Sequence, residues 1–166
     1  GRTAAAAAVS WRSERWYGFP AKPFDVEFVP RGDFGMLEQA IDETTAALIL
    51  EPVQGLAGAY PLGRDYLDAA REATARAGAL LIFDEVQCGL GRCGAPFVAR
   101  LHGVTPDILT VGKGLAGGLP AAALLVRPES AQDDDRGDRL QDAGGQSFRH
   151  SHRQHQRVLV RQPAGD

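Results

Sequence analysis

Short apolar runs recur along the middle of the chain, and each run is closed by turn-forming or charged residues. Apolar runs of this length suit strands that are buried on both faces of a parallel sheet. A helical pattern over Arg64–Ala77, with Gly78 as its expected C-cap, lies between two of them, as in a βαβ unit. The sequence therefore predicts an α/β fold, with a mainly parallel sheet flanked by helices. The runs are Ala46–Leu50, Leu80–Phe83 and Ile108–Gly112, and a further strand is predicted at Ala121–Val126.

Weaker patterns predict the elements between these runs. Val26–Pro30 is predicted to be a short strand, and Asp33 is the expected N-cap of a helix over Phe34–Ile41. Gln54–Gly63 contains three glycines and a proline, which is typical of a loop. A short helix is expected from Pro96 to His102.

A carboxylate and an amine stand at the ends of two predicted strands. Asp84 follows the run LLIF, and Lys113 follows ILTVG. The carboxyl ends of parallel strands meet at the edge of the sheet where α/β proteins bind ligands, so both side chains are expected at one edge. Of the 18 lysine and arginine residues, only Lys22 and Lys113 are lysine. Lysine in an apolar pocket can form a Schiff base and arginine cannot, although a surface lysine in a flexible loop fits the residues equally well.

Two stretches contain this pair of residues, DEVQCGLGRCG and PDILTVGKGLAGGLP. Together with AALILEPVQGLAGAYP and the opening GRT, they resemble the pyridoxal-phosphate (PLP) core of the class III aminotransferases, and most of all the acetylornithine aminotransferases. The resemblance covers about residues 1–130. It implies an incomplete large domain of the PLP-dependent transferases of fold type I, with PLP as cofactor. It also implies an amino donor and a 2-oxo acid as substrates, and a homodimer as the full-length assembly.

The resemblance gives five residues a role in the site. Lys113 is expected to hold the cofactor as a Schiff base and to move a proton between Cα and C4′. Asp84 is expected to keep the pyridine nitrogen protonated. Val86 is expected beneath the ring, Gln87 is expected to bond the phenolic oxygen, and Glu51 is expected near the cofactor. Taken without the resemblance, Asp84 can be an N-cap or a surface acid, and Val86 can be a core residue. Gln87 can be a polar loop residue, and Glu51 can be a structural acid.

The chain departs from the family pattern at several points. Leu56 stands where the family usually has a glutamate that pairs with an arginine handling substrate carboxylates, and Cys93 stands where it usually has threonine. In the family, a ring-stacking aromatic and a phosphate-binding loop precede GRT, so Gly1 is interpreted as a truncation point.

The glycines around Lys113 can alternatively cradle a nucleotide phosphate. However, GKGLAGG lacks the upstream glycine and the Ser/Thr of a P-loop.

Composition excludes several classes of partner. A net charge of −3 gives no reason to expect nucleic acid, and no apolar stretch is long enough to cross a bilayer. Cys88 and Cys93 have a C-x4-C spacing, but no second Cys/His pair lies nearby, so free thiols are favoured over a metal site. These features favour a cytoplasmic protein without a metal.

Residues 131–166 differ in character from the rest of the chain. They are rich in charge, glutamine and histidine and do not resemble the family, apart from a faint echo in GQSF. His150, His152 and His155 are compatible with a metal site, but a disordered tail is the favoured interpretation. A frameshift between about Ser130 and Gly145 is a further hypothesis, which translation of the other two reading frames would test.

Two hypotheses of function follow. The first is amino transfer between N-acetylornithine and 2-oxoglutarate in arginine biosynthesis, with ornithine, succinylornithine or 4-aminobutyrate as alternative donors. The second is a non-catalytic α/β fragment that binds or dimerises at most. The chain as given is expected to show little or no turnover.

Overall fold

The computed structural model describes residues 3–10, 17–132 and 157–161. These ranges contain a series of short strands and helices, and one 3-10 turn at Lys113–Ala116 follows the sixth strand. The helices are α1 (Ala4–Ala8), α2 (Phe34–Ala40), α3 (Arg64–Ala77), α4 (Val98–His102) and α5 (Pro128–Gln132). The strands are β1 (Asp25–Val29), β2 (Thr45–Leu50), β3 (Val53–Gln54), β4 (Tyr60–Pro61), β5 (Leu80–Asp84), β6 (Ile108–Val111), β7 (Ala123–Val126) and β8 (Arg157–Arg161).

Six of the strands form one sheet in the order β1-β8-β2-β5-β6-β7. Every neighbouring pair is parallel except β6 and β7, which are antiparallel. The three apolar runs form β2, β5 and β6, which are adjacent, so their carboxyl ends lie side by side. A mostly parallel sheet with flanking helices confirms the predicted fold class.

Helix α3 has the bounds that its sequence pattern predicts. Gly78 closes it in the left-handed conformation at φ 67°, where a glycine avoids the strain of a side chain. The apolar face of the helix is buried through Leu67 and Ala70, both of which are inaccessible to solvent. Asp33 caps α2 as expected, since its Oδ1 accepts a hydrogen bond of 2.9 Å from the Met36 N–H.

The core lies between the sheet and helices α2 and α3. Leu48 of β2 and both Leu81 and Phe83 of β5 are completely buried, and they belong to one apolar cluster with Leu37 of α2. Complete burial of such a side chain stabilises a fold by about 1.5–3 kcal/mol. The central strands are therefore held in place, and with them the residues that follow their carboxyl ends.

Asp107 joins several elements at the opposite end of β6. Its side-chain oxygens accept hydrogen bonds from the Leu81 N–H at 2.8 Å and from Arg71 Nη1 at 2.7 Å. Arg127 and Ser130 also donate to it, at 3.5 Å and 3.1 Å. Burial acts to raise the pKa of Asp107, but the Leu81 N–H, Arg71 and Ser130 together lower it below its ordinary value. The carboxylate thereby ties α3, β5 and α5 together.

Some elements differ from the sequence prediction. The segment Gln54–Gly63, expected as a loop, contributes to the hairpin of β3 and β4, because Gln54 pairs with Tyr60. Helix α4 begins at Val98 and not at Pro96, and α1 was not predicted. Strand β8 lies in the segment expected to lack regular structure, where its backbone pairs with β1 and β2. Residues 133–156 and 162–166, with the three clustered histidines, lie outside the described residues.

Strand β7 forms one edge of the sheet and is exposed along its whole length. Leu124, Leu125 and Val126 are 66%, 44% and 46% exposed. An apolar edge strand of this kind is open to pairing with further chain. In the described ranges, no helix is both long enough and apolar enough to cross a membrane.

Candidate active site

Asp84 ends β5 and is fixed by two hydrogen bonds at the edge of the sheet. It lies opposite Thr110 of β6 in the strand register. Its Oδ1 accepts from the Val86 N–H at 3.0 Å and from the Thr110 hydroxyl at 3.2 Å. Among the described residues, no hydrogen bond reaches Oδ2, so this oxygen is left available for a donor.

Lys113 lies two residues beyond the end of β6, in an uncommon backbone conformation. Its φ is +47°, which for a residue with a side chain costs about 1–2 kcal/mol. The Nζ atom donates a hydrogen bond of 2.7 Å to Oε1 of Gln87, in the loop that follows β5. Backbone strain of this kind clusters at functional sites, where a particular side chain is needed in a particular place. The side chain of Lys113 is exposed, in contrast to the apolar pocket that its chemistry requires.

Glu51 follows β2 and interacts electrostatically with the other two charged residues. Its Oε2 accepts a hydrogen bond of 3.1 Å from the Gly55 N–H. Burial is the main cause that raises the pKa of Glu51, and the negative charge of Asp84 raises it further. The Gly55 N–H and the positive charge of Lys113 act in the opposite direction. Glu51, Asp84 and Lys113 therefore form one electrostatically coupled group at the ends of β2, β5 and β6.

An open cavity of about 920 Å³ lies beside this group. Lys113, Gln87 and Val86 line it, whereas Asp84 and Glu51 do not. A side chain on Gly112 would approach Val86 to 3.3 Å, so the glycine leaves room for the valine at the cavity wall. The other lining residues come from the hairpin, from the loop after β5 and from the 3-10 turn, namely Val53, Gly55, Ala59, Cys88, Gly89, Leu90, Gly91, Arg92, Cys93, Gly112 and Gly114.

Glu85 is a buried residue next to Asp84 that the sequence analysis did not single out. It is completely buried, and its two carboxylate oxygens accept from the Val98 and Ala99 N–H groups at 2.8 Å each. These are the first two N–H groups of α4, which need acceptors at a helix start. Burial raises the pKa of Glu85, while the two backbone donors oppose the shift. Its partners lie 13 and 14 residues along the chain, so no local sequence pattern signals this contact.

The two cysteines are free thiols, and both line the cavity. Cys88 is buried, and its Sγ donates to the Asp84 carbonyl oxygen at 3.8 Å. Burial raises the pKa of Cys88 to about 12, so it is a poor nucleophile near neutral pH. Across the described part of the chain, no group of three or more metal-ligating side chains comes together.

Comparison with known proteins identifies the family. A profile of the class III aminotransferases matches residues 1–146. The acetylornithine aminotransferase of Mycobacterium tuberculosis is 45% identical over 132 residues, which make up 80% of this chain and 33% of that protein. The chain belongs to the class III aminotransferases, a PLP-dependent family.

Solved structures of two aminotransferases share the fold. The ornithine aminotransferase of Toxoplasma gondii, described with partial occupancy of PLP at its active site, matches with a TM-score of 0.71 and 35% identity, over 82% of this chain and 33% of that one. The N-acetylornithine aminotransferase of Stenotrophomonas maltophilia matches with a TM-score of 0.62 and 32% identity, over 76% of this chain and 38% of that one. The chain thus spans about a third of the length of these relatives. These matches confirm the fold of the PLP-dependent transferases of type I.

The residues at the edge of the sheet fit PLP chemically. Lys113 offers a primary amine at the cavity, and Asp84 offers a carboxylate oxygen without a hydrogen-bond donor among the described residues. Gln87 offers an amide and Val86 an apolar surface on the same cavity. The cavity volume of about 920 Å³ lies within the range of about 300–1,000 Å³ that is usual for small-molecule and cofactor sites.

Proposed function

We propose that this chain carries the cofactor-binding edge of an aminotransferase that moves an amino group between N-acetylornithine and 2-oxoglutarate, in arginine biosynthesis. One observation carries the proposal. The strained Lys113 presents its amine 2.7 Å from the Gln87 amide, at the sheet edge where Asp84 ends the neighbouring strand. The 45% identity to an acetylornithine aminotransferase supports the choice of substrate.

Lys113 is the residue that binds the cofactor covalently and moves the proton in this proposal. Its Nζ would hold the cofactor, and the same nitrogen would carry the proton that moves during amino transfer. Bound PLP supplies the electron sink for cleavage of a bond at the substrate Cα. The φ of +47° supports this role, since a glycine would fit the backbone better than a lysine does.

Asp84, Gln87, Val86 and Glu51 orient the cofactor in this proposal. The Oδ2 atom of Asp84 would keep the pyridine nitrogen of the cofactor protonated, because a carboxylate stabilises a cationic donor through a charge-assisted hydrogen bond. The amide of Gln87 would hold the phenolic oxygen of the cofactor, and Val86 would give the ring an apolar surface. Glu51 would act through its charge, because its Oε2 is already bound to the Gly55 N–H.

The identity of the amino donor rests on the relatives. Ornithine, succinylornithine and 4-aminobutyrate are the alternative donors, and the structural match to an ornithine aminotransferase favours the first of these. Leu56, at the turn of the hairpin, is 97% exposed and offers no group that binds a carboxylate. Recognition of the substrate carboxylate must therefore come from other residues.

Assembly, location and turnover are also part of the proposal. A homodimer and a cytoplasmic location are proposed from the family resemblance alone. We propose little turnover by the 166-residue chain itself, because its cavity is open and Lys113 is exposed, whereas the chemistry of a Schiff-base lysine requires an enclosed site. The alternative function, a fragment that only binds or dimerises, predicts no attachment of PLP to Lys113.

The direct test is binding of PLP to the chain and to two lysine variants. Lys113→Ala is expected to abolish saturable binding, measured by equilibrium dialysis, while Lys22→Ala retains it. Lys113 makes one exposed hydrogen bond, so Lys113→Ala should change the free energy of unfolding by less than about 1 kcal/mol. Equal binding by the wild type and Lys113→Ala would refute the proposal.

A further inference from the structure

Gly55 is held in place at the turn of the β3–β4 hairpin by hydrogen bonds on both sides. Its N–H donates to Oε2 of Glu51 at 3.1 Å, and its carbonyl oxygen accepts from the Ala59 N–H at 3.1 Å. The position of its Cα relative to the sheet edge is therefore fixed through β2, the strand that Glu51 follows.

The space beside Gly55 is filled by the side chain of Gln87. A Cβ atom added at Gly55 would lie 2.3 Å from both Cδ and Nε2 of Gln87, and 2.6 Å from its Oε1. Cβ atoms essentially never lie within 3.0 Å of a non-bonded heavy atom, so any larger residue at position 55 would displace the amide.

The glycine is not needed for its backbone conformation. Gly55 is absent from the residues with positive φ, which include Gly58 of the same turn at +92°. An alanine at position 55 would thus be acceptable to the backbone. The steric conflict with Gln87 is what requires a glycine there.

The displaced amide is the group that contacts the candidate catalytic amine. Oε1 of Gln87 accepts the hydrogen bond of 2.7 Å from Lys113 Nζ. We infer that Gly55 is a positioning residue. Because it has no side chain, the Gln87 amide can lie between the hairpin and the amine of Lys113. This inference deepens the proposed function and rests on it, because Lys113 is the reactive amine only if that proposal is right.

The inference predicts a local effect for Gly55→Ala. The conflicting atoms belong to the end of a flexible side chain, so Gln87 can rotate away without movement of the backbone. The fold should persist, while Lys113 loses its acceptor. Gly35→Ala is the matched control, because Gly35 lies on α2, has an ordinary φ and would place its Cβ at an acceptable 3.5 Å from Asp33.

The experiment compares the two lysines of the chain by trace labelling with acetic anhydride in the absence of PLP. Peptide mapping gives the rate of acetylation of Lys113 relative to Lys22, which is an internal standard in every sample. Gly55→Ala is expected to raise this ratio by about two- to fivefold, the modest effect of losing an exposed hydrogen bond. Gln87→Ala should raise it by a similar factor, and Gly35→Ala should leave it at the wild-type value.

The double variant Gly55→Ala/Gln87→Ala tests whether Gly55 acts through Gln87. If it does, the double variant shows no larger ratio than Gln87→Ala alone. A wild-type ratio in Gly55→Ala, a wild-type ratio in Gln87→Ala, or a double variant whose factor is the product of the single factors would each overturn the inference. The acetylation experiment does not use PLP. Failure of PLP to bind Lys113 would therefore refute the proposed function, but the acetylation ratios would still test the role of Gly55.

Discussion

Glu85 and Asp84 are adjacent acids with different partners. Asp84 holds one oxygen against β6 and leaves the other available, whereas both oxygens of Glu85 are bound to backbone N–H groups of α4. The alternation of side chains along an extended backbone separates them, so that one faces the candidate site and the other the interior. The acidic pair DE in the sequence therefore contains one candidate site residue and one structural residue.

Replacement of Glu85 tests the structural half of this pair. Glu85→Ala leaves two buried N–H groups without acceptors, and we expect it to lower the free energy of unfolding by about 2–4 kcal/mol. Denaturation in urea measures the change. Glu72→Ala, an exposed change on α3, should have an effect within about 0.5 kcal/mol. A similar small effect for Glu85→Ala would contradict the capping role.

At the scale of elements, Asp107 determines how α3, β5 and α5 fit together. Asp107→Asn removes the charge that Arg71 and the Leu81 N–H stabilise, and we expect a loss of about 2–3 kcal/mol at neutral pH. Asp68→Asn, in an exposed pair with Arg64, is the control and should change stability by less than about 1 kcal/mol.

The effect of Asp107→Asn should depend on pH in a defined direction. The pKa of Asp107 is lowered in the folded chain, so its stabilisation is present above the ordinary pKa of 3.8 and is lost as the pH falls through the folded value. The difference in unfolding free energy between wild type and variant should therefore shrink below about pH 3.8. A difference that stays constant down to pH 2–3 would show that the carboxylate charge is not what stabilises this junction.

Strand β8 is one of the elements that the sequence did not predict. It pairs with β1 on one side and with β2 on the other, and Leu159 lies opposite Glu27 and Leu48. Leu159→Pro removes a backbone donor from the centre of the sheet, and we expect a loss on the order of 2–3 kcal/mol and faster hydrogen exchange in β1. Unchanged stability and exchange would show that residues 157–161 do not occupy this position and would support a tail outside the sheet.

Local patterns explain which elements could be predicted. The apolar runs of β2, β5 and β6 and the capped helix α3 are defined by neighbours in sequence, and their predicted bounds agree with the structure within one or two residues. The hairpin of β3 and β4 depends on the pairing of Gln54 with Tyr60, and β8 depends on partners more than a hundred residues away. Such pairings leave no periodic signal in a single sequence.

The placement of the candidate site residues at one edge of the sheet was predictable for a related reason. Asp84, Lys113 and Glu51 each follow an apolar run, so the parallel sheet alone brings them to one edge. The contact between Gln87 and Lys113 and the space at Gly55 depend on how two loops meet, which no strand pattern defines. The resemblance named Gln87, but only the structure relates it to Gly55.

For the whole molecule, the proposed PLP site on Lys113 lies in a chain that spans about a third of the length of its relatives. The claim concerns cofactor attachment and not turnover. Detectable transamination by the chain alone would contradict our expectation of little turnover, but it would not contradict the site.

The measurement that tests this claim most directly is borohydride reduction of the chain mixed with PLP, followed by peptide mapping. Lys22 and Lys113 are the lysines of the chain, so few amines can react with PLP. We predict a phosphopyridoxyl label concentrated on Lys113, with little on Lys22 or the N-terminus. Label spread evenly over these amines, or no label, would contradict the account.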